Sequence, residues 1–253
     1  ELLKSTDILF VNDDEVMLST WIQVGTMRKL TIEETLGIVA LTERLGRPEE
    51  GMQWLLDSDL RQPDRRLLDT RAGLAERMGD LPAAIDALRL LIQRDGATVP
   101  RAMRLARMHG VRGEHAMAYE ALVPLAGKAA ETDLDYWRLL ANLAWTLQIE
   151  SQALQALTIT TRQGELDPIE ADRLLQLLRT RHPQDAARFA EKAWVQLQQP
   201  AYLTAALDLW WSARDLPAME RLFGRLDAAA EQAMASDGYF WVLRAQWHQA
   251  RHE

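Results

Sequence analysis

No cysteine occurs in the 253 residues, which excludes a disulfide framework, a thiolate zinc site and a cysteine nucleophile. An excess of basic charge is missing too: 29 Lys+Arg stand against 37 Asp+Glu, a formal net charge of −8. Sequence-blind binding to DNA or RNA wants basic side chains clustered on one face, so nucleic acid is not an expected partner. No apolar run approaches the ~20 residues that cross a bilayer, and this segment is expected to make no membrane contact of its own. Glycine-rich phosphate loops, paired-histidine zinc helices, serine elbows and calcium loops are absent, and no nucleophile stands beside a base. No catalytic, cofactor-binding or metal residue is therefore assigned, no cofactor is implied, and the chain is not expected to be an enzyme. The remaining composition, 48% hydrophobic and 26% charged, is that of ordinary globular material. The chain opens at Glu1 without a signal sequence and stops at His252-Glu253 within a helical pattern, so it reads as an excised piece of a longer protein.

What is present is repetition. Gly79 to Gly113, Ala84 to Ala118, Leu88 to Leu122 and Leu91 to Leu125 are each 34 residues apart, and Ala153 to Ala187 is again 34. That period belongs to the tetratricopeptide repeat (TPR), a helix pair that stacks on its neighbours. A small residue is required where the paired helices cross, and Gly51, Ala84, Ala118, Ala153 and Ala187 fall on that register. The turns read Gly46-Arg47-Pro48, Gly79-Asp80-Leu81-Pro82 and Gly113-Glu114, with Pro48 and Pro82 at first-turn positions where a missing N–H is tolerated. Later turns, Arg181-His182-Pro183 and Arg214-Asp215-Leu216-Pro217, lose the glycine.

These signals predict an all-α, right-handed superhelical solenoid of about seven antiparallel helix pairs. The expected pairs are 31–45 with 48–60, 64–78 with 81–94, 98–111 with 114–128, 134–147 with 150–163, 168–180 with 184–198, and 201–213 with 216–233, followed by a lone helix at 239–251. Residues 1–30 are assigned to a degenerate N-terminal pair, broken around Asn12-Asp13-Asp14, and residues 31–253 to a solenoid truncated after a first helix. Pro63 is expected to close an early repeat. Asp13, Asp14 and Glu15 read as a helix cap and first-turn acids, and Asp57, Asp59 and Asp64 as a solvated turn.

Counting from the repeat starts places Arg66, Asp69, Arg77, Met103, Arg107, Arg138, Asn142, Trp145, Asp172, Gln176 and Arg179 along a groove formed by the first helices. From these, Arg66, Arg77, Arg107, Arg138, Asn142, Trp145, Gln176 and Arg179 are the candidate partner-binding residues. Arginine presents a planar fork to carboxylates and stacks on rings, so an acidic or polar protein segment suits such a groove. The competing reading is a solvated helix face, salt-bridged to Asp69 and Asp172. Trp210 and Trp211 diverge by about 100° on a helix, so one of them packs inward. Trp145 and one of that pair are the platforms a direct carbohydrate-binding module would need. His109 and His115, with Glu114 between them, form at most a loose surface cluster.

Two stretches are more specific than a generic repeat: Asp135-Tyr136-Trp137-Arg138-Leu139-Leu140-Ala141-Asn142-Leu143-Ala144-Trp145-Thr146-Leu147-Gln148 and Leu166-Asp167-Pro168-Ile169-Glu170-Ala171-Asp172-Arg173-Leu174. With Ala206-Leu207-Asp208-Leu209, they resemble the periplasmic repeat region of the PelB-type outer-membrane exporters of the Pel exopolysaccharide. The resemblance implies a periplasmic scaffold attached to an outer-membrane barrel. It implies docking of a bifunctional polysaccharide deacetylase/hydrolase (PelA-like), modulation of its activity, contact with the exopolysaccharide and guidance of that polymer to the pore. A carbohydrate-binding module, or an assembly or cochaperone scaffold unrelated to polysaccharide, stays open as an alternative.

Overall fold

In the computed structural model, which describes residues 13–59 and 64–251, the repeat period is written into the backbone. The Gly79 N–H bonds back to the Glu76 carbonyl at 3.1 Å, and the Asp80 N–H reaches the Ala75 carbonyl at 2.9 Å. This pair of bonds ends a helix by setting one residue in the left-handed region, where glycine has no Cβ to clash. Gly79 lies there, at φ 76°. The same two bonds recur around Gly46, Gly113, Gln148 and Arg214. Gln148 and Arg214 hold φ 58° and 55°, so these turns keep their geometry after glycine is lost, against the strain a side chain brings there. The turn at His182 is different: His182, at φ −138°, is the single residue between two helices.

The chain divides into two compact units, the first ending at Leu125 and the second beginning at Ala126. The first contains α1 (Asp13–Met27), α2 (Ile32–Arg44), α3 (Pro48–Asp59), α4 (Arg65–Met78), α5 (Leu81–Asp95), α6 (Val99–Val111) and α7 (His115–Leu122). Helices α2–α3, α4–α5 and α6–α7 pair as hairpins, with α1 against α2, α3 against α4 and α5 against α6. Asp64 and Asp80 cap α4 and α5, and Thr31 with Glu34 forms a capping box on α2. The expected small positions are buried: Ala84 and Ala118 fully, and Gly51 at the α2–α3 crossing. A Cβ on Gly51 would stand 2.5 Å from Thr42 Oγ1, so the close approach of these helices requires glycine.

The second unit contains α8 (Leu134–Thr146), α9 (Glu150–Gln163), α10 (Pro168–Arg181), α11 (Pro183–Leu197), α12 (Pro200–Ser212), α13 (Leu216–Phe223), α14 (Ala228–Ala233) and α15 (Gly238–Ala250). Hairpins α8–α9 and α10–α11 stack through α9 and α10, α11 packs on α12, and α15 rests on α12. Their core is aromatic as well as aliphatic: Tyr136, Trp137, Tyr202, Trp210, Phe240 and Trp247 are all buried. Ala153 and Ala187 fill the close crossings. Among the described residues the fold is all-α, fifteen α-helices without a strand.

Two expected helices are shorter than the periodicity predicts. The helix expected over 114–128 stops at Leu122 and tightens into a 3₁₀ turn, Val123–Leu125. Pro124 lacks an N–H, and its ring crowds the carbonyl four residues back. The helix expected over 216–233 breaks between Phe223 and Ala228, because Asp227 accepts the Ala230 N–H at 2.7 Å and starts a new helix instead. Of the N-terminal pair, α1 is seen; its other helix, and Pro63, lie outside the described residues.

Candidate functional site

In the first unit two of the three candidate arginines, Arg66 and Arg77, are held by carboxylates one repeat away. Arg66 pairs with Glu33, and Arg77 NH2 lies 2.6 Å from Glu43 Oε1. Arg104 NH2 does the same with Glu76 Oε1 at 2.7 Å. Each guanidinium extends from one first helix to an acid on the preceding one, a neighbour that exists only after the hairpins stack. Asp69 faces Arg65 and Arg104, at 4.0 and 3.9 Å. Of the two acids expected to salt-bridge this face Asp69 does so, but with Arg65 and Arg104, and Arg66 and Arg77 take acids that sequence spacing did not identify. Arg107 is exposed and has no ion pair among the described residues, whereas Met103 is buried.

In the second unit the structure brings four of the candidates together. Arg138, Asn142 and Trp145 follow one another along α8, opposite Glu170, Arg173 and Gln176 on α10. The Asp167 cap, accepting the Glu170 N–H at 3.0 Å, sets the start of α10 and with it the register of that face. Arg138 Nε lies 3.2 Å from Glu170 Oε1. Arg173 NH1 donates to Asn142 Oδ1 at 2.6 Å, and its guanidinium lies over the Trp145 ring, 5.3 Å from the centroid. Two adjoining clefts result. One, of about 300 Å³, is lined by Trp145, Gln148, Gln176 and Leu177; the other, of about 570 Å³, by Arg138, Asn142, Ile169, Glu170 and Arg173. Arg179, further along α10, is exposed.

Glu170 and Arg173 were absent from the candidate set. The Asp167-Pro168 start signal could have found Glu170, since it places that residue in the first turn of α10. Asp172 departs from expectation: it accepts the Tyr202 hydroxyl at 2.7 Å rather than an arginine. Burial, with the Asp172 carboxylate beside it, raises the Tyr202 phenol well above its ordinary range.

Of the histidine cluster, His115 is exposed as expected, but His109 is not a surface residue. His109 is 3% exposed, with Nδ1 2.6 Å from Glu114 Oε2 and Nε2 3.3 Å from Arg89 NH2. A guanidinium only donates, so Nε2 accepts and Nδ1 carries the proton towards Glu114. That hydrogen bond, with Arg112 close by, holds the Glu114 carboxyl below its usual range. Trp210 is the inward member of its pair; it is buried and donates to Glu191 Oε1 at 2.5 Å. Trp211 is half-buried. As platforms for a sugar ring, Trp145 has Arg173 against its ring and Trp210 is closed off, which leaves half-buried Trp211 as the outward member of that pair.

Residues 91–253 match the family model described as Tetratricopeptide repeat. No curated protein matches the chain. Among solved structures, the TPR2AB-domain:pHSP90 complex of yeast Sti1 aligns with a TM-score of 0.51 at 13% identity, covering 94% of this chain and 93% of that one. A tetratricopeptide repeat protein from Parabacteroides merdae aligns at 0.47 with 16% identity, over 93% and 88%. Pseudomonas aeruginosa pilF aligns at 0.43 with 15% identity, over 72% and 83%.

Proposed function

Because the chain belongs to the tetratricopeptide repeat family, whose fold is a scaffold for protein interaction, we propose that it is a non-catalytic scaffold that holds a protein partner against the α8–α10 face. The observation that carries this reading is the juxtaposition of Trp145, Asn142 and Gln176 from two successive first helices beside open clefts. Neither helix has the residues for that surface alone, and stacking supplies it. Half-exposed aromatic and amide side chains on a rigid layer suit contact with a peptide or loop.

The finer reading places the scaffold in the periplasm, as part of an outer-membrane exporter of the Pel exopolysaccharide. There it docks a polysaccharide deacetylase/hydrolase of the PelA type, modulates it and guides the polymer to the pore. Its support is the likeness of Asp135–Gln148, Leu166–Leu174 and Ala206–Leu209 to that exporter family. The first two of these stretches form the α8–α10 face. Pull-down of the deacetylase/hydrolase tests both levels. Capture is expected with the native chain and is expected to fall at least ~tenfold when Trp145→Ala and Gln176→Ala are combined, as loss of a central aromatic contact produces. Undiminished capture by the double variant removes the face assignment, and no capture by the native chain removes the enzyme as partner.

A further inference from the structure

The larger α8–α10 cleft is sided by charges that are unequally engaged. Its cationic groups are committed: Arg138 Nε faces Glu170 Oε1 at 3.2 Å, and Arg173 is tied to Asn142 and to the Trp145 ring. Its acids are not. Glu165 is exposed and has no ion pair among the described residues. Asp167 uses Oδ1 for the Glu170 N–H and has no cation beside it. Glu170 is 9% exposed, and its Oε2 is buried without a hydrogen-bond partner. A buried carboxylate oxygen left unpaired is unfavourable, and a donor that reaches it gains the bond without displacing bulk water.

We propose that this cleft receives a basic side chain, lysine or arginine, set next to an aliphatic residue in an extended segment of the protein partner. The reading rests on the scaffold function above and adds the chemistry of what is bound. The last torsion of a glutamate is broad, so a partial turn of the Glu170 carboxyl, with Arg138 still beside Oε1, brings Oε2 to the incoming N–H without moving its helix. Glu165 and Asp167 complete an acidic collar around the cation. Ile169, 61% exposed at the rim, supplies the apolar surface for the neighbouring aliphatic residue. The uncommitted groups are acceptors, so an acidic segment finds no matching partner here and meets like charge.

Fluorescence anisotropy with labelled decapeptides on a Gly/Ala background tests the proposal, with series carrying Leu-Lys or Leu-Arg, Leu-Gln, or Leu-Glu pairs. The basic series is expected to bind at least ~tenfold tighter than the acidic one, and the margin is expected to shrink at high salt. Glu170→Gln keeps shape and removes charge, and is expected to weaken basic peptides ~fivefold or more. Glu165→Lys, on an exposed side chain, should weaken them as well, with the circular dichroism of both variants unchanged. Equal or tighter binding of the acidic series, or basic affinities indifferent to both variants, overturns the charge assignment. The scaffold reading survives that result if Trp145→Ala still abolishes binding. Failure of every peptide to bind overturns both readings. Glu170-dependent binding of glucosamine oligomers without binding of basic peptides overturns the peptide assignment in favour of a cationic saccharide.

Discussion

In the first unit the links that span one repeat are arginine–carboxylate pairs on the surface: Arg66–Glu33, Arg77–Glu43 and Arg104–Glu76. The second unit has such pairs too, Arg162–Glu131 and Arg181–Glu150, each at 2.5 Å. It adds hydroxyls that donate to acids: Tyr202 to Asp172, Tyr239 to Asp208 and Thr204 to Asp237. Thirteen of the seventeen aromatic residues lie after Leu125, and several of the largest are closed from solvent there. The lesson is energetic. Exposed ion pairs contribute ~0–1 kcal/mol and fade with salt, whereas buried aromatics such as Tyr202, unlike exposed Tyr239, carry area and anchor their hydrogen bonds in a drier setting. One period is thus held together by two chemistries with different sensitivities.

The largest expected effect concerns the aromatic anchor. Trp137 is 2% exposed, stands edge-on to Tyr136 at 5.2 Å and donates from Nε1 to the Ala130 carbonyl at 2.9 Å. Trp137→Ala should lower unfolding free energy by ~3–5 kcal/mol in urea titrations. A loss below ~1 kcal/mol would remove the distinction drawn between the units.

A middle-sized effect separates them by pH. The raised Tyr202 phenol gives stability that is complete below its ordinary value of 10 and declines as pH rises above it. Tyr239, raised by its bond to Asp208, acts in the same sense. Glu34 is the opposite case, held down to about 2 by the Arg28 hydrogen bond and then by the Thr31 N–H. Its contribution is present above the ordinary value of 4.5 and is lost as pH falls from there towards about 2. Melting temperatures across pH should show Tyr202→Phe reducing the alkaline loss and Glu34→Gln reducing the acid one. An alkaline limb unchanged in Tyr202→Phe would show that the phenol has no part in it.

The smallest effect is expected from Arg77→Ala, which removes an exposed link. It should cost under ~1 kcal/mol, and the difference from native should vanish in 1 M salt, where screening acts within ~3 Å. A salt-independent loss would mean that the first unit, too, is fastened by buried contacts.

The hairpins were readable because their signals are local. Asp64, Asp80 and Asp167 accept N–H groups two or three residues ahead, and Gly46, Gly79 and Gly113 adopt the turn that glycine permits. Pro124 announces the end of α7, yet the 34-residue rhythm outweighed it in counting the helix onward. The candidate site was half legible. Register placed Trp145 and Gln176 on one layer, and they do share a cleft. Register did not reveal that Arg66 and Arg77 were already engaged, nor that Glu170 and Arg173 complete the second-unit face.

What the sequence determined by itself is the helix pair and its turn, since these depend on bonds closed within about five residues and on side chains small enough at each crossing. Only the tertiary structure decided which arginines are taken, which carboxylate oxygen is buried unpaired, and which tryptophan is capped. Each of those outcomes depends on a neighbour some 30 residues away, brought alongside when one hairpin buries its apolar face against the next.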